Sequence, residues 1–247
     1  DRAMSEQSPT VAVFRPDDDR LTRAVALLES LGAEPLADPM LAVEPTGAAP
    51  REDADYVVLT SKTGVELAAE ADWQPTGATV CAIGEATADA LDSAGYAVDL
   101  VPAEYSSRGL VDALGTDVDG ARVEVARSDH GSAVLLEGLE AAGAYRHETV
   151  LYRLIRPAGA GASVDAAVAG DLDAALFTSS LTVEHFLETA SERGERDDAI
   201  AGLNDATVGA IGEPTRETAE AAGLEVAVVP DRATFEALSR VALDRVD

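Results

Sequence analysis

Two short segments of the chain present a glycine, an acid and a threonine in the same order after an apolar run. They are Gly84–Thr87, with the sequence GEAT, and Gly212–Thr215, with the sequence GEPT. A glycine at the start of a helix lets a ligand approach the backbone, and the unpaired amides of the first turn carry a partial positive charge. With the threonine hydroxyl added, each segment could bind a carboxylate or a phosphate.

Hydroxyl and basic residues follow other apolar runs of the sequence in the same way. In a parallel sheet, ligands bind beyond the carboxyl ends of the strands, so we expect these groups to form one kind of anion site. The candidate ligand-binding residues are Arg15, Thr60, Ser61, Gly84, Thr87, Arg127, Ser128, Thr178, Ser179, Ser180, Gly212, Pro214 and Thr215.

Each of these motifs also has an ordinary structural interpretation. Serine and threonine are common helix N-caps, and each cap contributes about 1 kcal/mol. Glycine after a strand is normal turn chemistry, and Glu85 and Glu213 suit the first turn of a helix. The feature that favours a ligand site is the recurrence of the motifs at equivalent positions in the two halves of the chain.

The recurrence extends over most of the sequence and indicates a duplicated unit of roughly 110–120 residues. Thr178 follows Thr60 by 118 positions, whereas Gly212 follows Gly84 by 128. The difference predicts an insertion of about ten residues in the second copy. The polar stretch 189–198, TASERGERDD, is its natural place, and we expect a surface loop or a helix extension there.

Each copy alternates short valine-rich runs with segments of helical periodicity. The periodicity predicts helices over Leu21–Leu31, Ala86–Leu91 and Val134–Ala142. Strands that alternate with helices pair in parallel and are covered on both faces, so we predict two flavodoxin-like α/β lobes. The glycines expected to end helices are Gly32, Gly95, Gly143 and Gly223.

The assignment of the copies to the lobes stays open at this point. Adjacency in sequence favours two consecutive domains. The stretch 41–54 has no helix signal, and it could equally cross from one lobe to the other.

The chain is strongly acidic, with a formal net charge of −28 over 247 residues. Lys62 is the only lysine among 18 basic residues, so the others are arginines. At molar salt the Debye length falls to about 3 Å, which would screen this self-repulsion. We therefore expect a cytoplasmic protein of a salt-loving organism, and the charge argues against binding to nucleic acid.

Other site classes lack support in the sequence. No apolar run is long enough to span a bilayer, and no secretory pattern opens the chain, so we expect no membrane partner. The single cysteine, Cys81, stands in an apolar run typical of a buried strand. The three histidines have no ligand spacing, so no metal site is expected. Nothing indicates a coiled coil, and a monomer is the expected state.

Several short motifs resemble those of the uroporphyrinogen-III synthase family. They are Thr-Ser-x-x-Gly-Val at Thr60–Val65, Ile-Gly-x-x-Thr at Ile83–Thr87 and Ile211–Thr215, and Tyr-Arg at Tyr152 and Arg153. The resemblance runs over nearly the whole chain. It implies two interleaved lobes, 1–38 with 156–247 and 43–151, joined by extended connectors near 38–44 and 149–156. It also implies a site in the cleft between mobile lobes.

The activity implied by the resemblance is closure of the linear tetrapyrrole hydroxymethylbilane to uroporphyrinogen III, with no cofactor and a transient contact with the preceding enzyme of the pathway. Tyr152 matches a family tyrosine in the second connector and is the candidate catalytic residue for loss of the terminal hydroxyl. Thr215 matches a threonine that contacts substrate. By the same resemblance, the substrate-binding loops of the cleft would include Ser61, Lys62, Ser179 and Ser180. Glu213 stands where many members have proline, so we expect its side chain to point away from the anionic substrate.

Two rival functions share much of this pattern. A non-catalytic bilobed sensor of an anionic small molecule would use the same strand-end groups, and Tyr152 is the residue that distinguishes the enzyme from it. A two-lobed glycosyl or phosphoryl transferase would need a catalytic histidine or a metal-binding pair of acids near a strand end. No such group stands out in the sequence.

Overall fold

The computed structural model describes residues 8–246 and divides the chain into two compact units that are not consecutive in sequence. Unit one comprises the chain up to Ala42 and from Ile155 onward, and unit two is Val43–Leu154. Residues 1–7 and 247, which belong to the predicted lobe one, lie outside the described residues.

Ten β-strands occur within residues 8–246, most of them four residues long. In chain order they are β1 (Thr10–Val13), β2 (Glu34–Ala37), β3 (Ala42–Pro45), β4 (Tyr56–Leu59), β5 (Thr79–Ala82), β6 (Arg122–Ser128), β7 (Tyr145–Ile155), β8 (Ala174–Phe177), β9 (Thr207–Ala210) and β10 (Val226–Val228).

Ten α-helices alternate with these strands in the same range. They are α1 (Asp19–Ser30), α2 (Lys62–Glu70), α3 (Glu85–Ser93), α4 (Ser107–Leu114), α5 (Ala133–Ala141), α6 (Ala162–Ala169), α7 (Ser180–Glu192), α8 (Arg196–Asp205), α9 (Glu213–Ala221) and α10 (Phe235–Val246). The three helices predicted from periodicity are present as α1, α3 and α5.

Each unit is built on one five-stranded sheet. The strand order is β10-β9-β8-β1-β2 in unit one and β3-β7-β6-β4-β5 in unit two. The four neighbouring pairs of the first sheet are parallel, and so are the pairs among β4, β5, β6 and β7. The two predicted α/β lobes with parallel sheets are therefore confirmed.

Helices cover both faces of the two sheets, as the apolar strands predict. In β4, Val57 and Leu59 belong to one buried cluster and Val58 to another. In unit one, Phe14 and Phe177 stack with their ring centroids 4.4 Å apart. Because side chains alternate along a strand, a four-residue strand with every residue apolar must be buried on both faces.

The glycines predicted to end helices do so by adopting a left-handed backbone. Gly32, Gly95, Gly143 and Gly223 have φ angles of 84°, 88°, 87° and 96°. Each glycine directly follows the C-cap residue of its helix. Residues with a β-carbon are strained in this conformation, so glycine is the natural choice.

The insertion predicted at 189–198 extends one helix and contributes to another. Helix α7 has 13 residues, against 9 in its counterpart α2. Helix α8 follows it and buries Ala199 and Leu203, where unit two has only a loop between α2 and β5. The helix-extension alternative is thus the correct one.

Unit two contains the only cysteine and the only tryptophan of the sequence, and both are buried. Cys81 is fully buried in β5, and burial, followed by the charge of Asp99, raises the pKa of its thiol to about 12. Trp73 is 1 % exposed, and its ring centroid lies 5.1 Å from that of Tyr96. The Tyr96 hydroxyl donates a hydrogen bond to the Trp73 carbonyl at 2.9 Å.

Two kinds of feature, a membrane-spanning helix and a cluster of metal ligands, are absent from residues 8–246. No helix there has the length and apolar character needed to cross a membrane. The same residues contain no group of three or more histidine, cysteine and acidic side chains arranged to hold a metal ion.

Candidate active site

The candidate residues of unit two gather at one edge of its sheet. Strands β4, β5, β6 and β7 are parallel, so their carboxyl ends meet at the same edge. Ser61 follows β4, Gly84 follows β5, and Ser128 ends β6 directly opposite Tyr152 of β7. Residues that are 91 positions apart in sequence, Ser61 and Tyr152, are therefore brought into contact.

Tyr152 and Ser61 form a hydrogen-bonded pair at the start of α2. The Tyr152 Oη and Ser61 Oγ atoms are 2.9 Å apart. Ser61 is the N-cap of α2, and its Oγ accepts a hydrogen bond from the Gly64 N–H at 3.0 Å. Tyr152 is 6 % exposed, so its ring is anchored in the core cluster of the unit and its orientation is fixed.

The residues on either side of Ser61 are less constrained. Thr60 is half-buried, and the Lys62 ammonium lies 3.6 Å from Glu66 in an exposed pair one helical turn apart. Exposed pairs of this kind contribute less than about 1 kcal/mol, so the Lys62 ammonium can exchange Glu66 for another anion at small cost.

The first GEAT segment forms the N-terminus of α3, but its glycine is covered. Gly84 is the N-cap, with no side-chain hydrogen bond, and a β-carbon built on it would lie 3.1 Å from the Tyr105 ring. Tyr105 itself is 60 % exposed. Thr87 is only 4 % exposed and lies on the buried face of α3 with Leu91. Sequence reasoning missed Tyr105, whose position 128 residues later is Ala233.

Arg127 is engaged within unit two. It is 4 % exposed, its Nε donates to Glu148 Oε1 at 2.7 Å, and its Nη1 donates to the Ser132 carbonyl at 2.7 Å. Ser128 is half-buried, and its Oγ accepts a hydrogen bond from the His130 N–H at 3.3 Å.

Asp129 is an acid at the same edge that the sequence reasoning did not select. Its Oδ1 accepts from the Leu154 N–H at 3.0 Å and lies 2.8 Å from His130 Nδ1. Burial works to raise the pKa of Asp129, but these hydrogen bonds outweigh it and hold the pKa below its ordinary value. Asp129 is thus a charged acceptor that ties the end of β6 to β7.

In unit one the corresponding edge carries two adjacent helix N-termini. Ser179 is the N-cap of α7, and its Oγ accepts from the Thr182 N–H at 3.2 Å. The Ser180 hydroxyl donates to the Pro214 carbonyl in α9 at 3.1 Å, which ties the two helices together. Thr178 is half-buried just before them.

The GEPT segment begins α9 and is more open than its counterpart. Gly212 is the N-cap, and the nearest atom to a β-carbon built on it is Pro214 Cδ at 3.9 Å. Glu213 is 62 % exposed and lies 3.7 Å from Arg216 on its own helix, as a first-turn acid. Thr215, like Thr87, is 4 % exposed.

Arg15 lies two residues beyond the end of β1. Within residues 8–246 it forms no ion pair with an acid. Its guanidinium carbon stands 5.1 Å from the centre of the Phe235 ring. Burial, reinforced by the charge of Arg20, lowers the pKa of Arg15. An anion bound beside this guanidinium would offset both effects, so the position suits a carboxylate.

Comparison with known proteins places the chain in a family. Residues 22–240 match the sequence profile of the family described as uroporphyrinogen-III synthase HemD. A protein of Methanothermobacter thermautotrophicus, whose name uroporphyrinogen-III synthase is provisional, is 33 % identical over 242 residues, covering 92 % of this chain and 94 % of that protein.

Solved structures share the fold. A mutant uroporphyrinogen III synthase of Thermus thermophilus aligns with a TM-score of 0.65 at 20 % identity, covering 97 % of this chain and 98 % of the other. The uroporphyrinogen-III synthetase of Helicobacter pylori also gives 0.65, at 15 % identity, covering 97 % and 100 %. The profile match and the relative at 33 % identity show that the chain belongs to the uroporphyrinogen-III synthase family.

Proposed function

We propose that the protein is a uroporphyrinogen-III synthase, which closes hydroxymethylbilane to uroporphyrinogen III with inversion of the last pyrrole ring and loss of water. Membership of the family supports this reaction. The structural observation that carries it is the Tyr152 hydroxyl, held 2.9 Å from Ser61 at the edge of the sheet where the predicted anion-binding groups of unit two gather.

The chemistry of the substrate explains why such groups are needed. Hydroxymethylbilane is a flexible chain of pyrroles with many carboxylates, and unassisted it cyclises without inversion. The main task of the enzyme is to hold one folded geometry, and orientation of this kind can supply several kcal/mol of the barrier. Backbone amides, hydroxyls and arginines at the strand ends suit a substrate with many separate carboxylates.

We propose that the strand-end groups of each unit contact these carboxylates. Arg15 and Lys62 would supply positive charge, and the remaining groups would supply neutral donors, including the amides at the open N-terminus of α9 near Gly212. The neutral groups are Thr60, Gly84, Thr87, Ser128, Thr178, Ser179, Ser180 and Thr215. Pro214 has no N–H to donate and would only shape the start of α9, while Ser61 is engaged with Tyr152 and Arg127 with Glu148.

Tyr152 is the proposed catalytic residue. Its phenol donates a proton to the terminal hydroxyl as the C–O bond breaks, so that the group leaves as water and an azafulvene-like cation forms. The pyrrole carbon that closes the ring later loses one proton as it regains aromaticity, and this proton can restore the phenol. The net change is the loss of one water molecule.

The balance of protons and water in this reaction bears on the class of enzyme. The reaction consumes no oxidant, reductant or transferred group, so we propose a hydro-lyase that needs no cofactor. We also propose that lobes 1–38 with 156–247 and 43–151 act as the two functional halves, which the division into compact units supports. Further proposals from the sequence are a cytoplasmic, monomeric protein adapted to salt that meets the preceding pathway enzyme transiently, and the net charge of −28 supports adaptation to salt.

The decisive experiment is an isomer assay. The purified protein is freed of small molecules by gel filtration in concentrated salt that contains a chelator. It is then given freshly prepared hydroxymethylbilane, and the oxidised products are separated by chromatography. We expect the type III isomer with protein and the type I isomer without it. A product of type I alone, from protein shown by circular dichroism to be folded, would exclude the synthase activity and leave the sensor as the better interpretation.

A further inference from the structure

We infer that Ser61 is a positioning residue for the Tyr152 phenol, because it relays a hydrogen bond from the backbone of α2 to the phenol oxygen. The inference rests on the proposed function, in which that phenol gives a proton to the leaving hydroxyl. It assigns to Ser61 a role beyond capping a helix, and it takes the place of a direct contact with substrate because the hydroxyl has a single proton.

The direction of the first hydrogen bond is fixed. The Gly64 N–H can only donate, so the Ser61 Oγ is the acceptor at 3.0 Å. A serine hydroxyl has one proton and two lone pairs, and this bond uses one lone pair. The remaining contact of Ser61, to Tyr152 Oη at 2.9 Å, is then open to either direction.

The N-terminus of the helix favours one of these directions. The partial positive charge of the first turn polarises a hydroxyl that accepts from it, and hydrogen bonds in a chain strengthen one another. Ser61 is thereby made a better donor, and its proton points to the Tyr152 oxygen. The phenol proton then remains free for the substrate, and the negative charge that develops on the phenol oxygen during transfer is stabilised by the Ser61 hydroxyl.

The equivalent cap in unit one carries no such relay. Ser179 accepts from the Thr182 N–H at 3.2 Å, and its own hydroxyl donates to Thr182 Oγ1 at 3.3 Å. The residue equivalent to Tyr152, 112 positions earlier, is Met40, which is fully buried. Helix capping alone therefore does not require a phenol beside the serine, and the Ser61–Tyr152 contact is a specific feature of unit two.

The test compares variants that remove the Ser61 hydroxyl with one that removes an equivalent cap elsewhere. Ser61→Gly is the main variant, because glycine is itself a good N-cap and keeps the helix start. Ser61→Thr retains the hydroxyl. Ser106→Ala is the matched control, since Ser106 caps α4 in the same unit by accepting from the Gly109 N–H at 2.9 Å.

We expect Ser61→Gly to lower kcat about tenfold with KM changed by less than about threefold, in line with the loss of one hydrogen bond to a reacting group. Ser61→Thr should restore kcat, and Ser106→Ala should leave it within about twofold. In the Tyr152→Phe background, Ser61→Gly should have no further effect on kcat, because the phenol oxygen that accepts the Ser61 hydrogen bond is already missing.

The possible results distinguish failure of the Ser61 relay from failure of the proposed synthase activity. If the wild type forms type III product but Ser61→Gly keeps full kcat, the relay is overturned while the proposed function stands. The same holds if Ser61→Gly lowers kcat by an equal factor with and without Tyr152, since a purely structural role predicts that additivity. If the wild type forms only type I product, both fail.

Discussion

Arg15 in unit one and Arg127 in unit two stand at equivalent positions, 112 residues apart, yet their surroundings differ. Arg127 is buried and paired with Glu148 at 2.7 Å, whereas Arg15 makes no ion pair within residues 8–246 and lies over an aromatic ring. In strand register the residue of unit one that corresponds to Glu148 is Ala37. The neighbouring strand thus offers Arg127 an acid but offers Arg15 none, which leaves Arg15 available to an anion.

Met40 and Tyr152, the equivalent residues within the two predicted connectors, show the converse. Met40 is fully buried, and its carbonyl accepts a hydrogen bond from His185, so this position serves the core of unit one. Tyr152 keeps a polar hydroxyl at the strand edge of unit two. Both halves have the same α/β framework. The proposed catalytic group lies in unit two, whereas the arginine without an ion pair among residues 8–246, Arg15, lies in unit one.

The largest effect is expected from Tyr152→Phe, which removes the asymmetry between Met40 and Tyr152. We expect kcat to fall about 100-fold, the lower range for loss of a general acid. Binding of the reaction product, measured by fluorescence titration, should change by less than about threefold. Met40→Leu, which conserves volume in the core, is the control and should leave kcat within about twofold. Unchanged turnover in Tyr152→Phe would remove the phenol from the mechanism.

An intermediate effect is expected from exchanging the two arginines for methionine. Arg127→Met should lower the free energy of unfolding by about 2 kcal/mol, because it removes the charge-assisted hydrogen bonds of a buried guanidinium to Glu148 and to the Ser132 carbonyl. Arg15→Met should change that free energy by less than about 1 kcal/mol but raise KM about tenfold, as expected for one lost charge-assisted hydrogen bond to a substrate carboxylate.

Urea unfolding at a fixed salt concentration and steady-state kinetics on the same preparations would decide the comparison. If Arg15→Met destabilises the protein as much as Arg127→Met does and leaves KM unchanged, the assignment of the two roles is wrong.

The smallest effect concerns Glu124, a buried acid of unit two whose equivalent position in unit one is apolar. Glu124 is 1 % exposed, its Oε2 lies 2.8 Å from His147 Nδ1, and its Oε1 has no hydrogen-bond partner among the described residues. Its counterpart in β1 is the buried Ala12. Because a buried carboxylate with an unmet oxygen is costly, we expect Glu124→Leu to raise the free energy of unfolding by about 1 kcal/mol.

A matched variant, His147→Ala, removes the other partner of this contact at a half-exposed position. It should lower the free energy of unfolding, since it leaves the buried Glu124 side chain without its hydrogen bond. A loss of stability in Glu124→Leu of the same size as in His147→Ala would mean that the contact outweighs the burial cost.

The features of the fold that depend on local sequence were predictable. The alternation of apolar runs and helical periodicity fixes the α/β class, and glycine marks the helix ends because few other residues tolerate a left-handed backbone. The caps at Ser61 and Ser179 follow from the residue type and its place before an amphipathic run. The change in repeat offset predicts the insertion, and the polar composition of 189–198 gives its place.

The features that were missed depend on contacts between distant segments. The pairing of Arg127 with Glu148 follows from the register of β6 and β7, which the residue types do not specify. The cover of Gly84 by Tyr105 requires a loop to return over the start of α3. The burial of Thr87 could have been found, since it shares a helix face with Leu91 four residues later.

The position of Trp73 makes the two halves of the chain optically unequal. It is the only tryptophan in the sequence, and it is enclosed within unit two. Indole emission will therefore follow the melting of that half alone, whereas calorimetric heat is absorbed by both. Superimposable transitions would indicate that the duplicated halves unfold as one cooperative system, and a lag between the two signals would reveal that each has kept a melting point of its own.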